Sequence, residues 1–183
     1  RVVRQKVRAV DRKECMRLYP AGGGWGLFGL HLVPNDAESV VLTEGEFDAM
    51  AVYEATGIPA VSLPNGASSL PVQVLPLLER FRKIYLWMDD DVPGREGAAK
   101  FARKLGMGRC HLVETRGEAA DGPKDANDAL RRGCDLRAML DAARVVPHSG
   151  MASFRDYRTE IYRELQDPRA MAGKSRTRIE GLN

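Results

Sequence analysis

Two acidic clusters stand at the ends of two predicted strands. Glu44-Gly45-Glu46-Phe47-Asp48 follows Val40-Val41-Leu42-Thr43, and Asp89-Asp90-Asp91 follows Ile84-Tyr85-Leu86-Trp87-Met88. Each strand is a short β-branched or apolar run, and each cluster opens onto a helix. The carboxyl ends of strands in an open parallel sheet share one edge, where ligands collect. Carboxylates from distant parts of the chain would converge there, and a hard divalent cation such as Mg²⁺ needs that kind of oxygen cage. The chemistry these residues point to is metal-dependent work on phosphates.

Within the clusters the residues divide by role. Thr43 and Glu46 have the spacing of a capping box, which gives Glu46 a structural explanation. Glu44 has none, since an unpaired carboxylate at a sheet edge is costly, so it is the first candidate ligand. Gly45 lets the backbone approach a ligand or turn tightly, and Asp48 is either a support behind the ligands or a surface residue. Three adjacent aspartates repel one another, and helix capping accounts for only one of them. Extended backbone sends Asp89 and Asp91 to one side and Asp90 to the other. An Asp-x-Asp pair on one side can grip a divalent ion, and Pro93-Gly94 then turns the chain into a helix.

Other motifs are weaker. Lys124-Asp125-Ala126-Asn127 opens a helix, and taken alone Asp125 is best explained as its N-cap. Pro64-Asn65-Gly66-Ala67-Ser68 could offer backbone N–H groups to a phosphate but lacks the P-loop pattern. His31, His111 and His148 have no mutual spacing for metal or triad work and are expected to be structural. Trp25 and Trp87 are expected to be packing residues.

The elements that must position these residues follow from periodicity and punctuation. Residues 1–19 alternate basic and apolar, like an edge strand or hairpin. Ala21-Gly22-Gly23-Gly24 is a loop, and 25–33 leads toward the first core strand. From 38 to 147 strands and helices alternate: strand 39–43, helix 46–56 ended by Gly57, strand 59–63, helix 71–81, strand 83–88, helix 94–105 ended by Gly106, strand 109–114, then helices 126–132 and 135–143. That repetition predicts an α/β domain, a mainly parallel sheet covered by helices. Beyond it, Ser153 and Asp156 can cap a helix whose stripe is Phe154, Tyr157, Ile161 and Leu165.

The composition fits. The 183 residues suffice for one domain with fragments of its neighbours, and 44% hydrophobic with 29% charged residues are globular proportions. No apolar run reaches the ~18 residues of a membrane span, and no signal peptide is visible. Cys15, Cys110 and Cys134 form no CxxC pair, so buried or semi-buried free thiols are expected rather than a zinc ribbon or disulfides. The net charge of +3 is uneven: residues 1–20 hold seven Lys/Arg (Arg1, Arg4, Lys6, Arg8, Arg12, Lys13, Arg17) against Asp11 and Glu14. A basic flank beside an acidic centre suits a polyanionic substrate, although a solvated strand face explains it as well.

The order Lys6-Val7-Arg8, Glu44-Gly45-x-x-Asp48, Asp89-x-Asp91-x-x-Gly94 and Lys124-Asp125-x-Asn127 resembles the TOPRIM primases. More narrowly, it is similar to the primase half of bacteriophage-type primase–helicases, including mitochondrial replicative helicases of that family, over nearly the whole chain. The resemblance implies a Rossmann-like TOPRIM fold at 38–147. It places 1–37 in the end of a preceding α+β primase subdomain, and 148–183 in a linker helix and basic tail before a helicase domain outside this sequence. It implies Mg²⁺ or Mn²⁺ on Glu44, Asp89 and Asp91 for phosphodiester formation, with Asp125 as an auxiliary ligand. Glu44 would double as acid/base toward a primer 3′-hydroxyl. Lys6, Arg8, Lys124 and Asn127 would contact nucleotide or DNA, with Gly45, Asp48 and Gly94 in support.

The implied partners are single-stranded DNA, ribonucleoside triphosphates and further copies in a ring. The implied setting is the mitochondrial matrix or nucleoid, a plastid, or a phage-infected cytoplasm. Animal members depart at the Glu and the first Asp, whereas Glu44, Asp89 and Asp91 are all present here. The competing expectation is a catalytically silent module that binds DNA and supports the helicase ring. A hydrolytic reading, drawn from TOPRIM nucleases and topoisomerases, lacks a tyrosine in a nucleophile motif. Within these 183 residues there is no four-Cys zinc motif, and Gly173-Lys174-Ser175 lacks the context of a Walker loop.

Overall fold

The computed structural model describes residues 4–12, 15–22, 26–64, 70–116 and 121–146. Two short strands, β1 (Gln5–Arg8) and β2 (Met16–Tyr19), pair antiparallel as the expected hairpin. Their side chains are mostly exposed, because alternating basic and apolar residues offer no continuous apolar face to bury.

The main sheet is built on β3 (Ser39–Thr43), β4 (Ala60–Ser62), β5 (Lys83–Trp87), β6 (Cys110–Leu112) and β7 (Arg144–Val145), in the order β4-β3-β5-β6-β7. The first four are parallel, and β7 closes one side antiparallel to β6. Runs such as Val40-Val41-Leu42 and Ile84-Tyr85-Leu86-Trp87 are apolar at every position because both faces are covered. Strand alternation sends Val40, Leu42, Ile84 and Leu86 into a layer with Phe101 and Leu105 of α3 (Val92–Leu105). Val41, Tyr85 and Trp87 enter the opposite layer, with α1 (Glu46–Thr56), α4 (Ala126–Arg131) and α5 (Leu136–Asp141). Burying each such side chain is worth roughly 1.5–3 kcal/mol, enough to hold the sheet flat against costly charge at its edge. Trp87 satisfies its indole N–H by donating to the Thr115 hydroxyl at 2.9 Å.

Several expectations need correction. The helix expected at 71–81 is a 3₁₀ turn at Val72–Val74 and one α turn, α2 (Leu75–Leu78). Pro76 removes an N–H that a helix running from 71 would use. The helix expected from 94 begins at Val92, with Pro93 accommodated in its first turn. Residues 26–33 do not simply feed β3. Phe28 exchanges both backbone hydrogen bonds with Ser62 of β4, at 3.1 and 3.2 Å. Gly29 makes that passage possible at φ +79°, where a Cβ would lie 2.8 Å from the Ala60 carbonyl oxygen. β7 lies just beyond the last expected helix, where no strand was expected. Of the cysteines, Cys110 is buried and Cys134 partly so, but Cys15 is exposed, because its hairpin has no core to enter. Trp25, His148, residues 65–68 of the proposed phosphate loop and the helix expected from Ser153 lie outside the described residues.

Candidate active site

β3 and β5 are parallel neighbours with Thr43 level with Trp87, so the residues that follow them emerge on the same sheet edge. Glu44 leaves β3, and Asp89 leaves β5 two residues beyond its end. The chain then enters α1 and α3, and Asp48 in the first turn of α1 and Asp91 at the N-cap of α3 add further carboxylates. Gly45 is the N-cap of α1, and a Cβ there would stand 2.8 Å from Asp48 Oδ2, so the absence of a side chain lets Asp48 fold back to the edge. Asp91 caps α3 by accepting the Gly94 N–H at 2.7 Å. A Cβ on Gly94 would lie 2.1 Å from the Asp89 carbonyl oxygen, so only glycine brings the helix start this close. Asp125 caps α4 through the Asp128 N–H at 2.6 Å, which accords with the structural explanation drawn from sequence. α4 also lends the Asn127 N–H to Asp48 Oδ1 at 3.0 Å, joining segments 79 residues apart.

Five carboxylates therefore share one edge. Burial pushes Asp89 up to about 7, and the charges of Glu44, Asp48, Asp125 and Asp91 add to it. Burial likewise raises Asp48 to about 6, with Asp125 and Glu44 adding to the rise and the Asn127 N–H opposing it. Among the described residues no three acidic, histidine or cysteine side chains yet enclose a point at ligating distance. The donors nevertheless suit a hard cation: all are carboxylate oxygens. Within the described residues no hydrogen bond or ion pair occupies the Glu44 or Asp89 carboxylates, whereas Asp48, Asp91 and Asp125 are each oriented by a backbone N–H. A divalent ion would offset both the cost of burying Asp89 and the repulsion among these carboxylates.

Basic residues flank this edge. Lys6 of β1 reaches Glu46 at 2.8 and 3.0 Å, with both side chains about four-fifths covered. The expected capping box is thus overturned. The Thr43 hydroxyl donates to the Gly45 carbonyl at 2.9 Å, and Glu46 is taken by Lys6, a partner 40 residues away that no local pattern reveals. Arg8 is exposed on the same strand. Lys124 Nζ lies 3.5 Å from Asp125 and is mostly exposed. Asp90 is separated from its neighbours: Arg95 bonds it at 2.8 Å, Arg116 lies 3.9 Å away, and its N–H donates to the Lys124 carbonyl. Sequence reasoning missed Arg95 and Arg116. The only signal was Arg95 in the first turn after the acidic run, where a cation is unfavourable for a helix unless something pairs with it.

A mainly parallel α/β sheet with clustered acids at the ends of its two central strands defines a Toprim-like domain. Residues 41–130 match the family described as Toprim-like. The chain carries this Toprim domain and is homologous to Twinkle and to the primase fragment of the bacteriophage T7 primase–helicase. It is 33% identical over 156 residues to the Twinkle homolog protein, chloroplastic/mitochondrial, of Arabidopsis thaliana, a match covering 74% of this chain and 22% of that protein. The crystal structure of the T7 primase fragment superposes with a TM-score of 0.63 at 31% identity, over 76% of this chain and 56% of that one. A chain from the complex of T7 lagging-strand DNA polymerase with primase domains of two gp4 subunits, bound to an RNA/DNA hybrid and dTTP, gives 0.66 at 29% identity, over 79% and 72%. The chain spans only 22% to 36% of the length of the curated relatives it matches. Toprim and primase domains generally use divalent metal ions. Among the described residues no helix is long and apolar enough to cross a membrane.

Proposed function

We propose that this chain is the RNA-polymerising part of a DNA primase–helicase, making short RNA primers on single-stranded DNA. The observation that carries this reading is the convergence of Glu44, Asp89, Asp91 and Asp125, with Asp48 behind them, on one sheet edge flanked by Lys6, Arg8 and Lys124. Glu44, Asp89, Asp91 and Asp125 would hold Mg²⁺ or Mn²⁺. Such ions supply positive charge to the attacking 3′-oxygen and the departing pyrophosphate. Glu44, with no hydrogen-bond partner among the described residues, takes the proton of the primer 3′-hydroxyl. Asp91 and Asp125 stay fixed by their caps, so the edge keeps its shape as substrate enters. Asp48, tied to Asn127, holds α1 and α4 together behind the ligands. Lys6, Arg8 and Lys124 receive phosphates of template and nucleotide, and the side chain of Asn127 completes that set.

We further propose that the longer parent protein is also an ATP-driven helicase that works as a ring, in an organelle or a phage-infected cell, by analogy with the relatives above. A primer-synthesis assay on this chain and its parent, with a single-stranded template, ribonucleoside triphosphates and Mg²⁺, tests the central reading. Short RNA products that vanish in the Glu44→Gln, Asp89→Asn double variant are expected. Undiminished synthesis by that variant would sink it. Absence of synthesis together with absence of Mn²⁺ uptake at Asp89 would favour the silent, ring-supporting module.

A further inference from the structure

The acidic centre has a cationic neighbour that the reaction described above does not use. Asp90 lies between two metal-ligand candidates, yet its side chain, only 19% exposed, turns to Arg95 at 2.8 Å and Arg116 at 3.9 Å. Its backbone N–H holds the Lys124 carbonyl at 2.9 Å. One residue thus ties the end of β5 to three other segments: the first turn of α3, the chain after β6 and the approach to α4. A second close contact fixes the same place. A Cβ on Gly122 would stand 2.7 Å from Arg116 Cα, so the chain returning toward Lys124 lies directly against the Arg116 backbone. Two guanidinium groups share one carboxylate, so the Arg95–Asp90–Arg116 group keeps one positive charge uncompensated. Arg95 and Arg116 keep 64% and 41% of their side-chain surface exposed, leaving guanidinium donors free for a further partner. Stability alone does not account for the arrangement, since exposed ion pairs contribute at most about 1 kcal/mol. Lys124 joins this patch to the acidic edge through Asp125, 3.5 Å from its ammonium.

A ligand bridging the two regions must carry a cation-bound group at one end and several negative charges at the other. The polyphosphate of a nucleoside triphosphate meets that description, and guanidinium forks match phosphate oxygens in geometry and charge. We propose that Arg95 and Arg116, oriented by Asp90 and joined by Lys124, form the site for the terminal phosphates of the incoming nucleoside triphosphate. This deepens the primase reading and rests on it for the identity of the ligand. Asp90 is then a positioning residue, and the two arginines are binding residues.

The test is equilibrium binding of ATP and of AMP to this chain in Mg²⁺ at fixed ionic strength. ATP should bind more tightly than AMP. Arg95→Ala and Arg116→Ala should each weaken ATP by about tenfold, the scale of a lost charge-assisted contact, and leave AMP unchanged. Arg95→Lys and Arg116→Lys, which keep the charge and disturb packing least, should restore part of the loss. Asp90→Asn retains the N–H to Lys124 but releases the arginines, so ATP should weaken, whereas simple removal of a negative charge would tighten it. The proposal is overturned if wild type does not distinguish ATP from AMP, or if the alanine variants bind ATP within about twofold of wild type. Equal losses for AMP overturn it too, and tighter ATP binding by Asp90→Asn removes the role given to Asp90. If wild type makes no primer yet shows the ATP preference that the arginine variants lose, the primase reading fails and this site stands. Primer synthesis by the arginine variants with an unchanged KM for ATP overturns this site alone.

Discussion

The sheet edge and the β1–β2 hairpin handle charge in opposite ways. At the edge, carboxylates from three segments are crowded in partial burial, and Asp89 is pushed up to about 7 by burial first and by its acidic neighbours second. Such an arrangement survives only on a rigid support, here β3 and β5 with both faces covered and α1 and α4 clamped through Asp48 and Asn127. The hairpin carries cations that stay in water, needs little support and has almost none; Lys6 is its link to the edge, through Glu46. The contrast teaches that crowded, half-buried carboxylates need a rigid support, whereas exposed cations can sit on a light element.

The largest expected effect tests the edge directly. Asp89→Asn or Glu44→Gln should reduce primer synthesis by about 10²–10³-fold or more. The same changes should raise the thermal midpoint in chelator, because a repelling charge is gone. A midpoint that drops instead would break the contrast. Next, Gly94→Ala removes no functional group but forces the α3 start away from Asp89, from the 2.1 Å approach a Cβ would otherwise make. A cost of about 1–3 kcal/mol by chemical denaturation and loss of most synthesis are expected.

A smaller effect comes from pH. Asp89 at about 7 and Asp48 at about 6 both lie above their ordinary value of 3.8, so the folded state holds these protons more tightly than the unfolded one. Their stabilising contribution is complete below about pH 4 and is lost as pH rises through 6 and 7. In chelator the melting midpoint should therefore fall by a few degrees between about pH 4 and pH 7, the window these values bracket. Mn²⁺ should flatten the fall and Asp89→Asn should remove most of it. The smallest effect belongs to the hairpin: Glu46→Gln should cost no more than about 1 kcal/mol. It should shift the salt dependence of single-stranded DNA binding more than the melting midpoint. A large loss of stability would mean that the hairpin is part of the scaffold.

Much of the scaffold was legible. Helix 46–56 was bounded by Gly57, whose φ of +68° suits the end of a helix, and the strands at 39–43 and 83–87 announced themselves by unbroken apolar runs. Helix 71–81 misled because its apolar spacing is sound while Pro76 denies it a hydrogen bond. β7 escaped because two residues carry no period. Within the site, Asp89, Asp91 and Glu44 could be singled out because adjacent acids after a buried strand have few bland explanations. The partners of Glu46, Asp48 and Asp90 could not, since Lys6, Asn127 and Arg116 reach them across 40, 79 and 26 residues of chain. Local spacing assigned Glu46 to a cap; tertiary contact reassigned it.

The bridge between Phe28 and Ser62 has a consequence for how copies of this chain can meet. A parallel sheet that ended at β4 would display open N–H and C=O groups, an invitation to strand addition from another molecule. Phe28 takes up those groups at Ser62, and on the far side the antiparallel β7, only two residues long, offers little ladder to extend. Strand addition at either end of the main sheet is thereby hindered.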